Sequence, residues 1–120
     1  RRDRVASLFD AFAAHEAEIT APLVEMLIAH DRARLVGAPT TDHAVRAPTV
    51  AFHVPGTTSA SIYDALIAAK VSCGHGNFYA HRLVGSLGLD IDDGVVRVSA
   101  VHYNSSDDIA RVCTVLDDVL

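Results

Sequence analysis

The chain has 120 residues, 50% of them hydrophobic and 21% charged, with a formal net charge of −5. That length fits one domain with a single modest core, and the composition is that of a globular chain rather than a disordered one. The acidic balance argues against nucleic acid as a main partner, since phosphate binding calls for a basic stripe, and the one basic cluster is Arg1, Arg2 and Arg4.

No apolar run approaches the length that crosses a bilayer, so no membrane partner is expected. Cys73 and Cys113 are too few for a disulfide framework and point to a reducing, cytoplasmic setting. The chain opens on Arg1 with residues that are already helix-like, which reads as a piece of a longer polypeptide.

Val5 to His30 reads as helix. Val5, Phe9, Phe12, Ile19, Leu23, Met26 and Leu27 recur mostly at spacings of three and four, giving one apolar stripe. Pro22 interrupts it, either as a kink or in the first turn of a new helix capped by Thr20. Arg34 to Val36 is a short strand candidate, ended by Gly37 and Pro39, and a polar loop follows through Arg46. Pro48 to Val54 is β-rich and bounded by prolines, so it reads as a strand.

Helix signals return at Thr58 to Ser61, where Ser61 and Asp64 resemble a capping box; Ile62, Leu66 and Ile67 supply a core stripe as far as Lys70. Val71 to Cys73 is a candidate for a very short strand, and Gly74 to Asn77 reads as a loop by its glycines. Phe78 to Leu87 reads as a short helix. Asp90 to Gly94 is a turn, and Val95 to Val101 is the clearest strand in the chain. Asn104 and Ser105 offer a cap, Asp107 and Asp108 suit a first helical turn, and Ile109, Val112, Leu116 and Val119 or Leu120 form the apolar face of a last helix. Helices mixed with a small, mainly antiparallel sheet make a two-layer α+β sandwich, entered through a long helix over residues 1–30.

Arg97 is the strongest chemical signal. Alternation puts Val96, Val98 and Ala100 on one face of its strand and Arg97, Ser99 and Val101 on the other. A guanidinium among valines calls for an anionic partner, and its planar fork suits a carboxylate held by two parallel hydrogen bonds. A structural ion pair, or an arginine on a sheet with one open face, is the readier account of the strand taken alone. The segment Ser72 to Ala80 carries His75 between two glycines, beside Asn77 and Tyr79. It reads either as a loop that approaches another surface or as a tight turn with solvated polar groups. Cys73 and His75 lack the second pair a zinc site needs, so no metal is expected. The scattered histidines read as surface or core residues. No nucleophile elbow, dinucleotide fingerprint or phosphate loop is present.

The segment GVVRVSAVHYNSSDDIARVCTVLDDV, from Gly94 to Val119, resembles the closing segment of cysteine desulfurases and related class V aminotransferases. In those proteins an R-x-S strand leads to a Y-N-[ST] turn and a last helix with an acidic start, and Arg97, Ser99, Tyr103, Asn104 and Ser105 match in order. HEAEITAPLVEML resembles the family's linker helix, ARLVGAP and RAPTVAFHV its next two strands, and SIYDALIAAKVSCGHGNFYA the helix leading to its active-site loop. The resemblance covers nearly the whole chain.

It implies the C-terminal small domain (residues 1–120) of a fold type I enzyme that uses pyridoxal 5′-phosphate (PLP) and acts as a homodimer. The cofactor would be held by a large domain, on a Schiff-base lysine upstream. The small domain would be inactive alone, with Arg97 gripping the carboxylate of an amino-acid substrate and Asn77 and His75 beside it. The family's persulfide cysteine falls at or near Asn77, and Cys73 lies about four positions earlier. The resemblance is therefore to the cysteine desulfurase-like branch, with aminotransferase, lyase or epimerase chemistry. Lys70, the only lysine, does not match the cofactor-binding position. The other reading is a stand-alone α+β protein-interaction or small-molecule-binding module.

Overall fold

A computed structural model describes residues 1–120. The chain runs α1 (Arg2–Ala29), β1 (Arg34–Val36), β2 (Thr49–His53), α2 (Ser59–Ala68), β3 (Gly74–Gly76), α3 (His81–Ser86), β4 (Val95–Ser99) and α4 (Ser106–Val119). The strands form one sheet in the order β1-β2-β4-β3, with every neighbouring pair antiparallel. This is the expected α+β architecture, with helices against one face of the sheet.

Each strand's alternation decides which of its side chains enter the core. Leu35, Phe52, Val96 and His75 lie in one row across the sheet. Phe52 and Val96 are fully enclosed there by Leu23, Leu27, Ile62, Leu66 and Leu116 from α1, α2 and α4. Removing each such side chain from water contributes roughly 1.5–3 kcal/mol, which makes this face the main source of stability. The neighbouring row, Val36, Ala51, Arg97 and Gly74, lies on the opposite face and carries no large buried apolar side chain.

Helix α1 is continuous through Pro22. The ring removes the N–H that would bond to the Glu18 carbonyl. Pro22 and Glu18 are both on the exposed side, so water can donate to that carbonyl in place of the missing N–H. The Thr20 hydroxyl is not a cap; it donates to the Glu16 carbonyl at 2.6 Å inside the helix. Only the half from Ile19 onward packs on the sheet, and Arg2 to Ala11 is exposed throughout.

Three local expectations are corrected. Thr58, not Ser61, caps α2: its hydroxyl accepts from the Ser61 N–H, one of the unpaired donors of the first turn. The strand before Arg97 is Gly74–Gly76 rather than residues 71–73, so the His75 segment is β-structure and not a loop. Helix α3 starts at His81, because Phe78 and Tyr79 have φ of 51° and 61°, outside any right-handed helix. The last helix follows its sequence signals: Ser105 and Asp108 form a reciprocal capping box, and Ile109, Val112 and Leu116 are buried.

Candidate functional site

Arg97 leaves β4 on the face that no helix covers. Its side chain is exposed while Val96, Val98 and Ala100 on either side are buried. Its guanidinium carbon lies 3.8 Å from the centroid of the Phe78 ring, a cation–π contact. It makes no hydrogen bond or ion pair with any carboxylate of the chain, which removes the reading of Arg97 as an internal ion pair.

Phe78 reaches that position through an uncommon backbone. Asn77 to Ala80 form a β-turn closed by the Ala80 N–H to the Asn77 carbonyl at 2.8 Å, with positive φ at both central residues, Phe78 and Tyr79. Left-handed conformations at two successive aromatic residues cost energy and persist only where the surroundings hold them. Asn77 does much of the holding. Its Oδ1 accepts from the Tyr79 N–H and its Nδ2 donates to the Ile91 carbonyl, each at 3.0 Å. The Phe78 ring then lies over Gly74, where a Cβ would meet it at 3.0 Å. A side chain at that point of β3 would push the ring a few tenths of an ångström from its place.

The candidate residues separate on the two sides of the sheet. Arg97 and Gly74 share the bare face. His75 pairs with Val96 and turns to the helix face. There its Nδ1 lies 3.2 Å from Ser59 Oγ and its ring is tilted against Tyr63, with centroids 4.6 Å apart. Ser59 is buried, and its hydroxyl donates to the Asp93 carbonyl at 2.6 Å while its N–H donates to Asp93 Oδ1 at 2.8 Å. Serine, histidine and aspartate thus meet, but as a latch tying α2 to β3 and to the turn before β4, not as a nucleophile open to solvent. The structure does not bring His75 to Arg97. Cys73, two residues before His75, also packs toward the core, and burial pushes its thiol above the ordinary range. A nucleophilic thiolate needs the reverse environment.

Past Arg97 the sheet edge opens. Strand β3 pairs with Val95, Val96 and Arg97 only, so Ser99, paired with Thr49 of β2 on one side, has no strand on the other. An open cleft of about 570 Å³ fills the wedge. Lys70 and Ser72 line one side, Arg97 and Ser99 the β4 edge, and Asn104 and Arg111 the far side. Asn104 Oδ1 accepts from the Val101 N–H at 2.9 Å and so fixes the turn from β4 into α4.

Residues 6–112 match the model of the aminotransferase class-V family. The chain belongs to that family. It is 44% identical over 116 residues to the aminotransferase-like protein FGM3 of Gibberella zeae, covering 93% of this chain and 28% of that protein. It is 35% identical over 119 residues to a probable cysteine desulfurase of Pseudomonas putida, covering 98% and 27%. The chain therefore spans little more than a quarter of the length of these relatives. The fold is similar to that of the apo cysteine desulfurase from Thermococcus onnurineus, with a TM-score of 0.78 at 21% identity over 90% of this chain and 26% of that one.

Class-V aminotransferases are generally PLP-dependent, and the residues present here do not fit a cofactor site of their own. Lys70, the only lysine, is exposed at a left-handed position just past α2, where its N–H and that of Val71 close the helix end onto Ile67 and Leu66. What the geometry can do is hold an anion: a cation braced by an aromatic ring, on a sheet face open for a second surface. Phe78 was not foreseen as a site residue. Its sequence signal was the glycine four positions earlier, whose missing side chain makes room for the ring.

Proposed function

We propose that this chain is the substrate-binding small domain of a PLP-dependent class-V enzyme acting on an amino acid, and that Arg97 binds the substrate carboxylate. The observation that carries the reading is the pairing state of Arg97. A guanidinium held by Phe78 in one orientation, with no carboxylate of its own chain, is pre-organised for an external one. Bidentate capture of the α-carboxylate would orient the amino group for reaction.

PLP would be held by the large domain, which would close the bare face of the sheet, in a cytoplasmic homodimer. Asn77 would act by shaping the turn that carries Phe78, and His75 by fastening β3 from behind. Cys73 is half-buried at the wall of the cleft and burial pushes its thiol upward, so the reading favours aminotransferase, lyase or epimerase chemistry over desulfuration. No helix of the chain is long and apolar enough to cross a membrane.

The test is Arg97→Ala in the full-length protein loaded with PLP. Amino-acid binding should weaken by about 2–5 kcal/mol, the usual cost of breaking a desolvated carboxylate clamp, while the PLP absorbance stays. Unchanged amino-acid affinity would show that Arg97 serves structure alone.

A further inference from the structure

The cleft at the β4 edge holds more positive charge than one carboxylate clamp needs. Lys70, Arg97 and Arg111 all line it, against a single carboxylate, Asp108. This concentration of cations stands in a chain whose net charge is −5. Asp108 is committed elsewhere: its Oδ2 accepts from the Ser105 N–H at 2.9 Å and lies 3.3 Å from Asn104 Nδ2. It sits three residues before Arg111 on the same helix and offsets part of that charge. Lys70 forms no ion pair with a carboxylate, and neither Lys70 nor Arg111 donates a side-chain hydrogen bond within the chain.

The cleft also joins the two sides of the sheet. Val98, Ile109 and Val112 belong to the helix-packed side and Arg97 and Ser99 to the bare face, yet all five line the same space. They meet because β3 stops opposite Arg97. A ligand whose carboxylate is on Arg97 can therefore extend around the free edge of β4 toward Lys70 and Arg111. A volume of about 570 Å³ lies within the range that small-molecule sites occupy.

We infer that Lys70 and Arg111 form a second anion subsite, and that the preferred substrate is an amino acid whose side chain ends in a negatively charged group. This rests on the reading of Arg97 as the carboxylate clamp. A neutral side chain would leave both cations solvated and gain nothing from them. An acidic one would exchange that hydration for two charge-assisted hydrogen bonds. Exposed pairs are weak one at a time, so the two together should give a preference of about tenfold rather than a thousandfold.

The experiment compares glutarate with valerate, two unreactive acids of equal chain length, by calorimetric titration of the full-length PLP-loaded protein. Glutarate is expected to bind about tenfold more tightly at low salt, with the ratio shrinking as salt screens the distal pair. The double variant Lys70→Gln, Arg111→Gln should bring the ratio close to one, with circular dichroism confirming its fold. Arg97→Ala should weaken both acids. Equal affinities in the unmodified protein, or a ratio that survives the double variant, would overturn the second subsite while Arg97 keeps its role. Valerate binding unaffected by Arg97→Ala, or no binding of either acid, would remove the clamp and the subsite with it.

Discussion

Strand β4 presents two faces that differ in what completes them. On one, Val96, Val98 and Ala100 meet α1, α2 and α4, and nothing is left over: the side chains are apolar and enclosed. On the other, Arg97 and Ser99 alternate with them at the same spacing and meet no helix. Thr49 Oγ1 lies 3.1 Å from Ser99 Oγ across the pair, Ala51 is the small neighbour of Arg97 on one side and Gly74 on the other. The two faces answer to different demands. The enclosed face carries the free energy of folding, and the bare one is kept low around a single cation, as a surface must be if something else is to approach that cation closely.

Stability should follow the enclosed face. Phe52 is fully buried at the centre of the sheet, between Leu35 and Val96. Phe52→Ala should cost about 3–5 kcal/mol, the transfer of the ring plus the cavity left behind, read by denaturant unfolding. Ala51, its neighbour facing the other way, is the control: Ala51→Ser should stay within about 0.5 kcal/mol, as surface changes do. Equal losses at the two positions would mean that the bare face is as structural as the core.

A smaller effect is expected where the two faces are joined. Gly94 precedes β4 at φ +70°, and a Cβ there would run into the backbone of Gly76 and Asn77. Gly94→Ala combines a left-handed strain of about 1–3 kcal/mol with displacement of β3 and the turn behind it. Because Phe78 rides on that turn, the substitution should weaken carboxylate binding as well as stability. A variant that unfolds more easily but binds as before would show that Arg97 does not depend on the loop.

This joint is also where the sequence was hardest to read. The alternation from Val95 to Val101, the apolar face of α4 and its Ser105–Asp108 box were legible, because each is a local pattern with a local cause. The strand Gly74–Gly76 was not. Glycine has no strand preference, and this segment is extended because β4 supplies the hydrogen bonds, a cause that lies some twenty residues away in the chain. The turn at Phe78 and Tyr79 was hidden for a related reason: aromatic residues seldom take positive φ, and Asn77 holds them there through the Ile91 carbonyl. Arg97 was visible as a charge in an apolar strand, but the sequence could not exclude an internal partner. Its freedom became plain only from which face it leaves.

If the bare face is organised for binding, Phe78 should matter to Arg97 and little to the fold. Its ring is half-exposed and lies outside the main core, so Phe78→Ala removes chiefly the cation–π contact, worth about 0.5–1 kcal/mol at an exposed site. Unfolding free energy should fall by no more than that in Phe78→Ala, and by less in Phe78→Gly, where the glycine relieves the left-handed backbone. Binding of a monocarboxylate to the full-length protein should weaken about three- to fivefold in both variants, matching the lost orientation of the guanidinium. The control is the same pair of substitutions in an Arg97→Ala background, where they should change carboxylate affinity no further. Additive losses in that background would place Phe78 in contact with the ligand itself, and would make the ring, rather than the cation it braces, the feature that keeps this face bare.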